Sequence, residues 1–82
     1  MANDTDRVGV LPSRDFLVSR ALPCGCGVSV QVTRDQARTN WELSAKPGET
    51  RGEPRSLDLA RLALGIASPK LTDLAGAHRC RN

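Results

Sequence analysis

Leu22-Pro23-Cys24-Gly25-Cys26-Gly27-Val28-Ser29-Val30-Gln31-Val32-Thr33 is the stretch on which the fold turns. From Val28 to Thr33 apolar and polar residues alternate at every position, the signature of a half-buried antiparallel strand. Pro23 ends whatever precedes it, and Gly25 and Gly27 accept positive φ without steric cost. Cys24 to Gly27 therefore reads as a tight reversal between two strands. Upstream, Phe16 to Leu22 forms the partner strand, with Phe16, Val18 and Leu22 on one face. Val8 to Leu11 is a further short strand or a docked segment, closed by Pro12-Ser13. Downstream, Arg34 to Asn40 reads as a polar connection. Trp41 to Lys46 then alternates again, which turns Trp41, Leu43 and Ala45 inward and makes a three-stranded meander, about the minimum for a stable sheet.

The same reversal carries two of the three cysteines. The third, Cys80, stands two residues from the only histidine, His78. Three thiols and one imidazole complete a tetrahedral Cys₃His set for zinc. The two pairs are unusual in spacing: the first is Cys-x-Cys, and 51 residues lie between Cys26 and His78. Closing so long a loop costs on the order of 4 kcal/mol of chain entropy. Structural zinc, at an apparent ~10–16 kcal/mol, exceeds that. On a continuous helix an offset of two residues points side chains to nearly opposite sides. The helix carrying His78 must therefore end there if Cys80 is to reach the same ion. With Cys24, Cys26, His78 and Cys80 all bound, no coordination position stays open, so the expected role is structural. Iron–sulfur chemistry is less well served by a set containing an imidazole and no further cysteine.

Between these pairs, Pro47 to Arg55 (PGETRGEPR) reads as an exposed loop. Helical patterning follows. Ser56 is the expected N-cap, and Asp58 favours the positive end of the helix dipole. Over Leu57 to Ala67 the pattern is apolar around most of the circumference. Pro69 disfavours helix at Ser68, and Ser-Pro is itself a start signal. A second helix is thus expected from Pro69 to about Ala77, with Leu71, Leu74, Ala75 and His78 on one face. Leu64-Gly65-Ile66-Ala67-Ser68-Pro69-Lys70-Leu71-Thr72-Asp73-Leu74 resembles the turn region of helix-turn-helix proteins, with Gly65 as the turn glycine. The resemblance covers about a fifth of the chain and implies DNA binding by the second helix. Arg61 stands where that crossing takes a small residue, and Lys70, Thr72, Asp73 and Ala77 offer little to base edges. A plain helical hairpin packed on a sheet explains the same leucines.

The expected fold is thus a small α+β, zinc-stabilised domain, a roughly three-stranded antiparallel meander followed by two short helices. Residues 8–82 form the single domain behind an acidic, disordered tail at 1–7. Eighty-two residues, with Phe16 and Trp41 the only aromatics, leave a core that supplies only about 3–5 kcal/mol without a staple. There is no signal-peptide pattern and no apolar run of membrane-spanning length, and the odd cysteine count argues against a secreted disulfide framework. A cytoplasmic location is the expectation.

The formal charge of +3 is mildly basic. Arg34 and Arg38, Arg51 and Arg55, and Arg79 and Arg81 are the candidate phosphate or partner contacts, able to converge if zinc joins the C-terminal tail to the sheet. No histidine is left over as a general base, no Ser–His–Asp set exists, and no glycine-rich phosphate loop precedes a helix. The expected function is a non-enzymatic binding module, with nucleic acid first as partner and no small-molecule substrate. A protein partner, as in an assembly subunit of a larger particle, is the alternative. A thiol redox switch that releases zinc is the second alternative.

Overall fold

A computed structural model describes residues 6–49 and 52–79. Three strands, β1 (Asp6–Val10), β2 (Phe16–Ala21) and β3 (Gly27–Val32), are followed by two helices, α1 (Arg34–Leu43) and α2 (Ser56–Ala77). The strands form an antiparallel meander in the order β1-β2-β3. This is the small α+β architecture the sequence implies, assembled from partly different segments.

The register explains the core. Val8 faces Val18 and Val18 faces Val30, while the next row aligns Val10, Phe16 and Val32. Alternate residues of a strand share a face, so these rows lie together on the side where α2 packs. Phe16, Val18 and Val32 are fully buried there against Leu59, Ala63, Ala67 and Leu71 of α2. The other face carries Arg7, Gly9, Leu17, Ser29 and Gln31, all exposed. A one-sided antiparallel sheet of this kind shows clean alternation, which is why β3 is so readable. Asp6 and Arg7, expected in the tail, belong to β1; the rest of that tail lies outside the described residues.

The third row, Asp6–Arg20–Val28, is also on the helix side. Arg20 donates from Nε and Nη2 to the two carboxylate oxygens of Asp6, at 2.7 and 3.0 Å. Its remaining nitrogen, Nη1, reaches Thr72 Oγ1 of α2 at 3.1 Å. The two side chains are only 13% and 5% exposed, so the fork closes the end of the core that the valines do not reach. The Arg20 hydrogen bonds hold the Asp6 carboxyl below its ordinary range, against an opposing push from burial.

Two segments correct the sequence reading. Residues 34–43 are helix α1, where a polar connection and the start of a strand over Trp41 to Lys46 were expected. The cause is a capping box over Thr33-Arg34-Asp35-Gln36: Gln36 N–H donates to Thr33 Oγ1 at 3.1 Å and Thr33 N–H to Gln36 Oε1 at 3.0 Å. Ala37 is the buried residue of α1, and Leu43, expected inward, is 76% exposed. The third strand of the meander is instead β1.

The second correction concerns Pro69, which lies inside α2. The expected break at Ser68-Pro69, the helical hairpin and the helix-turn-helix arrangement are therefore absent. Proline in a helix interior costs about 3 kcal/mol, because it removes a donor and crowds the carbonyl four residues back. That residue is Gly65. The continuous buried ridge Leu59-Ala63-Ala67-Leu71 runs past the proline on a four-residue repeat, and burying it on the sheet offsets the local cost. Arg55, not Ser56, is the N-cap of α2, and its N–H is satisfied by Asp58 Oδ2 at 3.0 Å.

Candidate metal centre

The β2–β3 connection is built to curl. Leu22, Pro23, Cys24 and Gly25 form a β-turn closed by Gly25 N–H to Leu22 C=O at 3.0 Å, with proline at its second position. Gly25 then takes φ +90°, the left-handed region that favours glycine. Leu22 N–H to Cys26 C=O, at 2.8 Å, closes the hairpin behind it. Two positions apart on this curl, Cys24 is exposed and Cys26 half-buried.

His78 arrives from the far end of α2. The helix ends at Ala77, and His78 is its C-cap with extended backbone (φ −65°, ψ 136°), its N–H still bonded to Ala75 C=O at 3.3 Å. The residue is two helical turns beyond buried Leu71, on the same side. The ridge that seats α2 on the sheet therefore also aims His78 at the hairpin. The arrangement meets the geometric condition in the sequence: the helix stops at the histidine.

The two Sγ atoms and a ring nitrogen of His78 lie within 4.8 Å of one another. Tetrahedral zinc with Zn–S near 2.3 Å needs ligand atoms about 3.5–3.8 Å apart. Small side-chain adjustments bridge that difference. The donor set gives independent support, since His78 Nε2 is buried and has no hydrogen-bond partner among the described residues. A buried polar atom left in that state costs about 1–3 kcal/mol, and a metal ion in the cluster would satisfy it. The structure thus contains a Cys₂His group able to hold a metal ion. Cys80, the expected fourth ligand, lies outside the described residues, as do Arg51 and Arg81.

The remaining arginines do not converge. Arg38 of α1 is paired with Glu53, its Nη2 at 2.8 and 2.9 Å from the two carboxylate oxygens. Arg34 opens α1, where its backbone N–H is held by Asp15 Oδ1 at 3.1 Å. Arg55 caps the start of α2 and Arg79 follows its end. Twenty-two helical residues put about 33 Å between those ends. Arg38, through Glu53, and Arg55 therefore belong to one pole of the domain, Arg79 follows the far end of α2, and Arg34 sits between them at the Asp15 turn.

Asp15 is a positioning residue that was not singled out in the sequence. Its carboxylate also accepts Gln31 Nε2 at 3.2 Å and so ties the β1–β2 turn to β3 and to the first turn of α1. An acidic residue at a turn beside an exposed Arg14 with φ 72° gives only a local signal, and its partners are 16 and 19 residues away.

Comparisons with protein-family models, with curated proteins and with solved structures found no match. No helix among the described residues is long and apolar enough to cross a membrane.

Proposed function

We propose that the chain is a non-enzymatic binding module whose fold is stapled by a structural zinc ion held by Cys24, Cys26, His78 and Cys80. The observation that carries this reading is the meeting of Cys24, Cys26 and His78 within 4.8 Å, with His78 Nε2 buried and without a hydrogen-bond partner among the described residues. Cys80 fits as the fourth ligand because the chain leaves α2 extended at His78. Two extended residues cover about 6.6 Å, enough to return a thiol to the ion. Zinc is favoured by two or three thiolates with one imidazole in a closed set. A catalytic role has no support, since the only histidine is committed to the cluster.

A protein is the partner class that the surface favours. The described candidate arginines are spread along the domain and Arg38 is neutralised by Glu53, so among the described residues they offer no single phosphate-tracking stripe. Large apolar side chains are instead left in solvent: Leu43, Val10 at 65% and Leu57 at 60% exposure. One face of the sheet is also uncovered. Nucleic acid remains the second reading, carried by the formal charge of +3.

Native mass spectrometry of the purified chain, repeated on Cys24→Ser and His78→Ala, tests the staple. The wild type should hold an equivalent of zinc and both variants should lose it; a metal-free wild type that stays folded in chelator would sink it. Fluorescence anisotropy with labelled DNA and RNA separates the partner classes. Tight binding that weakens steeply with salt selects nucleic acid, and no binding at low salt removes it.

A further inference from the structure

We propose that Cys24 is the point at which a hydroperoxide attacks the metal centre, and that oxidation of Cys24 and Cys26 to a disulfide releases the ion and the end of α2. The proposal rests on the metal reading above and assigns a modification chemistry to the same site.

Three features of the hairpin carry it. The first is unequal access: Cys24 is exposed, whereas Cys26 and His78 are half-buried. Oxidation of a thiolate follows its exposure, and a metal-bound cysteine is already a thiolate. The second is open space. Apart from its two chain neighbours, a Cβ placed on Gly25 would meet no atom of the described residues within 4 Å, so the outer side of the curl admits a small oxidant. The third is proximity, because the Cys24 and Cys26 sulfurs are at most 4.8 Å apart across a single glycine. A disulfide requires about 2.0 Å, which the two χ1 rotors can approach while the Leu22–Cys26 bond keeps the hairpin closed.

The chemistry balances with hydrogen peroxide as oxidant. Cys24 Sγ attacks one peroxide oxygen, an S–O bond forms, the O–O bond breaks, and hydroxide leaves and is protonated to water. Cys26 Sγ then attacks the Cys24 sulfur, the S–S bond forms and the S–O bond breaks, giving a second water on protonation. Two thiolates supply the two electrons that reduce the peroxide, and the zinc keeps its charge throughout. A disulfide no longer offers thiolate ligands, so the ion is left with too few donors to be held.

The structural consequence is local. Beyond Leu71 no side chain of α2 is buried, and Leu74 is 43% exposed. Between Thr72, held by Arg20, and the end of the helix, the metal is the principal tether of α2. Its loss frees the last turn while Leu59 to Leu71 stays docked.

The test uses the full reduced chain. Zinc content is first measured by native mass spectrometry. The loaded protein is then treated with up to a roughly tenfold excess of hydrogen peroxide, with zinc release followed by a chromogenic chelator. The expected result is release of zinc in step with a mass loss of about 2 Da. Peptide mapping should show Cys24 linked to Cys26, and amide exchange should quicken over Ala75 to His78 but not over Ala63 to Leu71. Dithiothreitol with added zinc should restore the starting state. Cys80→Ser, if it still folds, should form the same Cys24–Cys26 link. Loaded wild type that keeps its zinc under peroxide overturns the proposal, as does release accompanied by a disulfide to Cys80 or by stable oxygen adducts. A reduced protein without zinc defeats the metal reading and this proposal together, and shows itself before any oxidant is added.

Discussion

The two poles of this domain are held by different kinds of contact. At one, a hairpin curl and the end of a long helix bring together side chains 52 positions apart in sequence, Cys26 and His78. At the other, α1 is held by its own capping box, by buried Ala37, and by the Arg38–Glu53 and Trp41–Gly52 contacts, 15 and 11 residues apart. Between them runs the ridge Leu59-Ala63-Ala67-Leu71, the part of the structure that spans both. The contrast separates a pole gathered by the docking of a long helix from one held by a local cap and by contacts of shorter sequence range.

Chelation is the strongest way to break the comparison. Removing zinc with an excess of chelator should disorder the hairpin–His78 pole and lower Tm for the whole domain. A loss of only about 3 kcal/mol would shift the midpoint of a chain this size by roughly 12–24 °C. An unchanged melting curve would mean that the two poles are equally self-sufficient.

Pro69→Ala tests the span between the poles. If α2 is one helix, the substitution should stabilise by up to about 3 kcal/mol, read as a higher denaturation midpoint. A helical hairpin that uses Ser68-Pro69 as its second start would instead be weakened. Asp6→Asn probes the contact beside the metal pole. The folded Asp6 pKa is lowered, so the Arg20 pair contributes stability that is fully present above the ordinary carboxylate pKa. That contribution is lost as pH falls through the lowered value. The variant should therefore melt earlier than wild type at neutral pH, and the two curves should close on one another in acid.

Smaller effects belong to the α1 pole. Thr33→Ala removes the cap and should cost about 1 kcal/mol in chemical denaturation. Arg38→Ala should cost no more than about 1 kcal/mol, since its partner Glu53 is largely in solvent. A larger loss from Arg38→Ala than from Thr33→Ala would make the long-range ion pair, rather than the cap, the organiser of that pole.

The legibility of the sequence follows the same division, in reverse. β3 was readable because one face is buried and the other wet, so the pattern from Val28 to Thr33 has period two. The residues of the Cys/His cluster were readable because cysteine and histidine are rare here and fall in two pairs. Nothing in the sequence places His78 beside Cys24 and Cys26, and that information comes from the seating of α2. The α1 helix was misread although its cue, Thr33-Arg34-Asp35-Gln36, is local: the coincidental alternation of Trp41, Leu43 and Ala45 competed with it. Only Ala37 is buried in that helix, so no apolar stripe announced it. Pro69 misled for the opposite reason. Its local preference is strong, and a buried ridge extending on both sides overrides it.

The distance in sequence between Cys26 and His78 also sets an order of events during synthesis. At about 5–20 residues per second, His78 is made roughly 3–10 s after Cys26. Through that interval the hairpin can form and its two thiols can meet an ion, but the imidazole that completes the Cys₂His group does not yet exist. The nascent chain therefore passes through a stage with both sulfurs presented and the site unfinished. Helix α2 must dock before the three ligand atoms can gather.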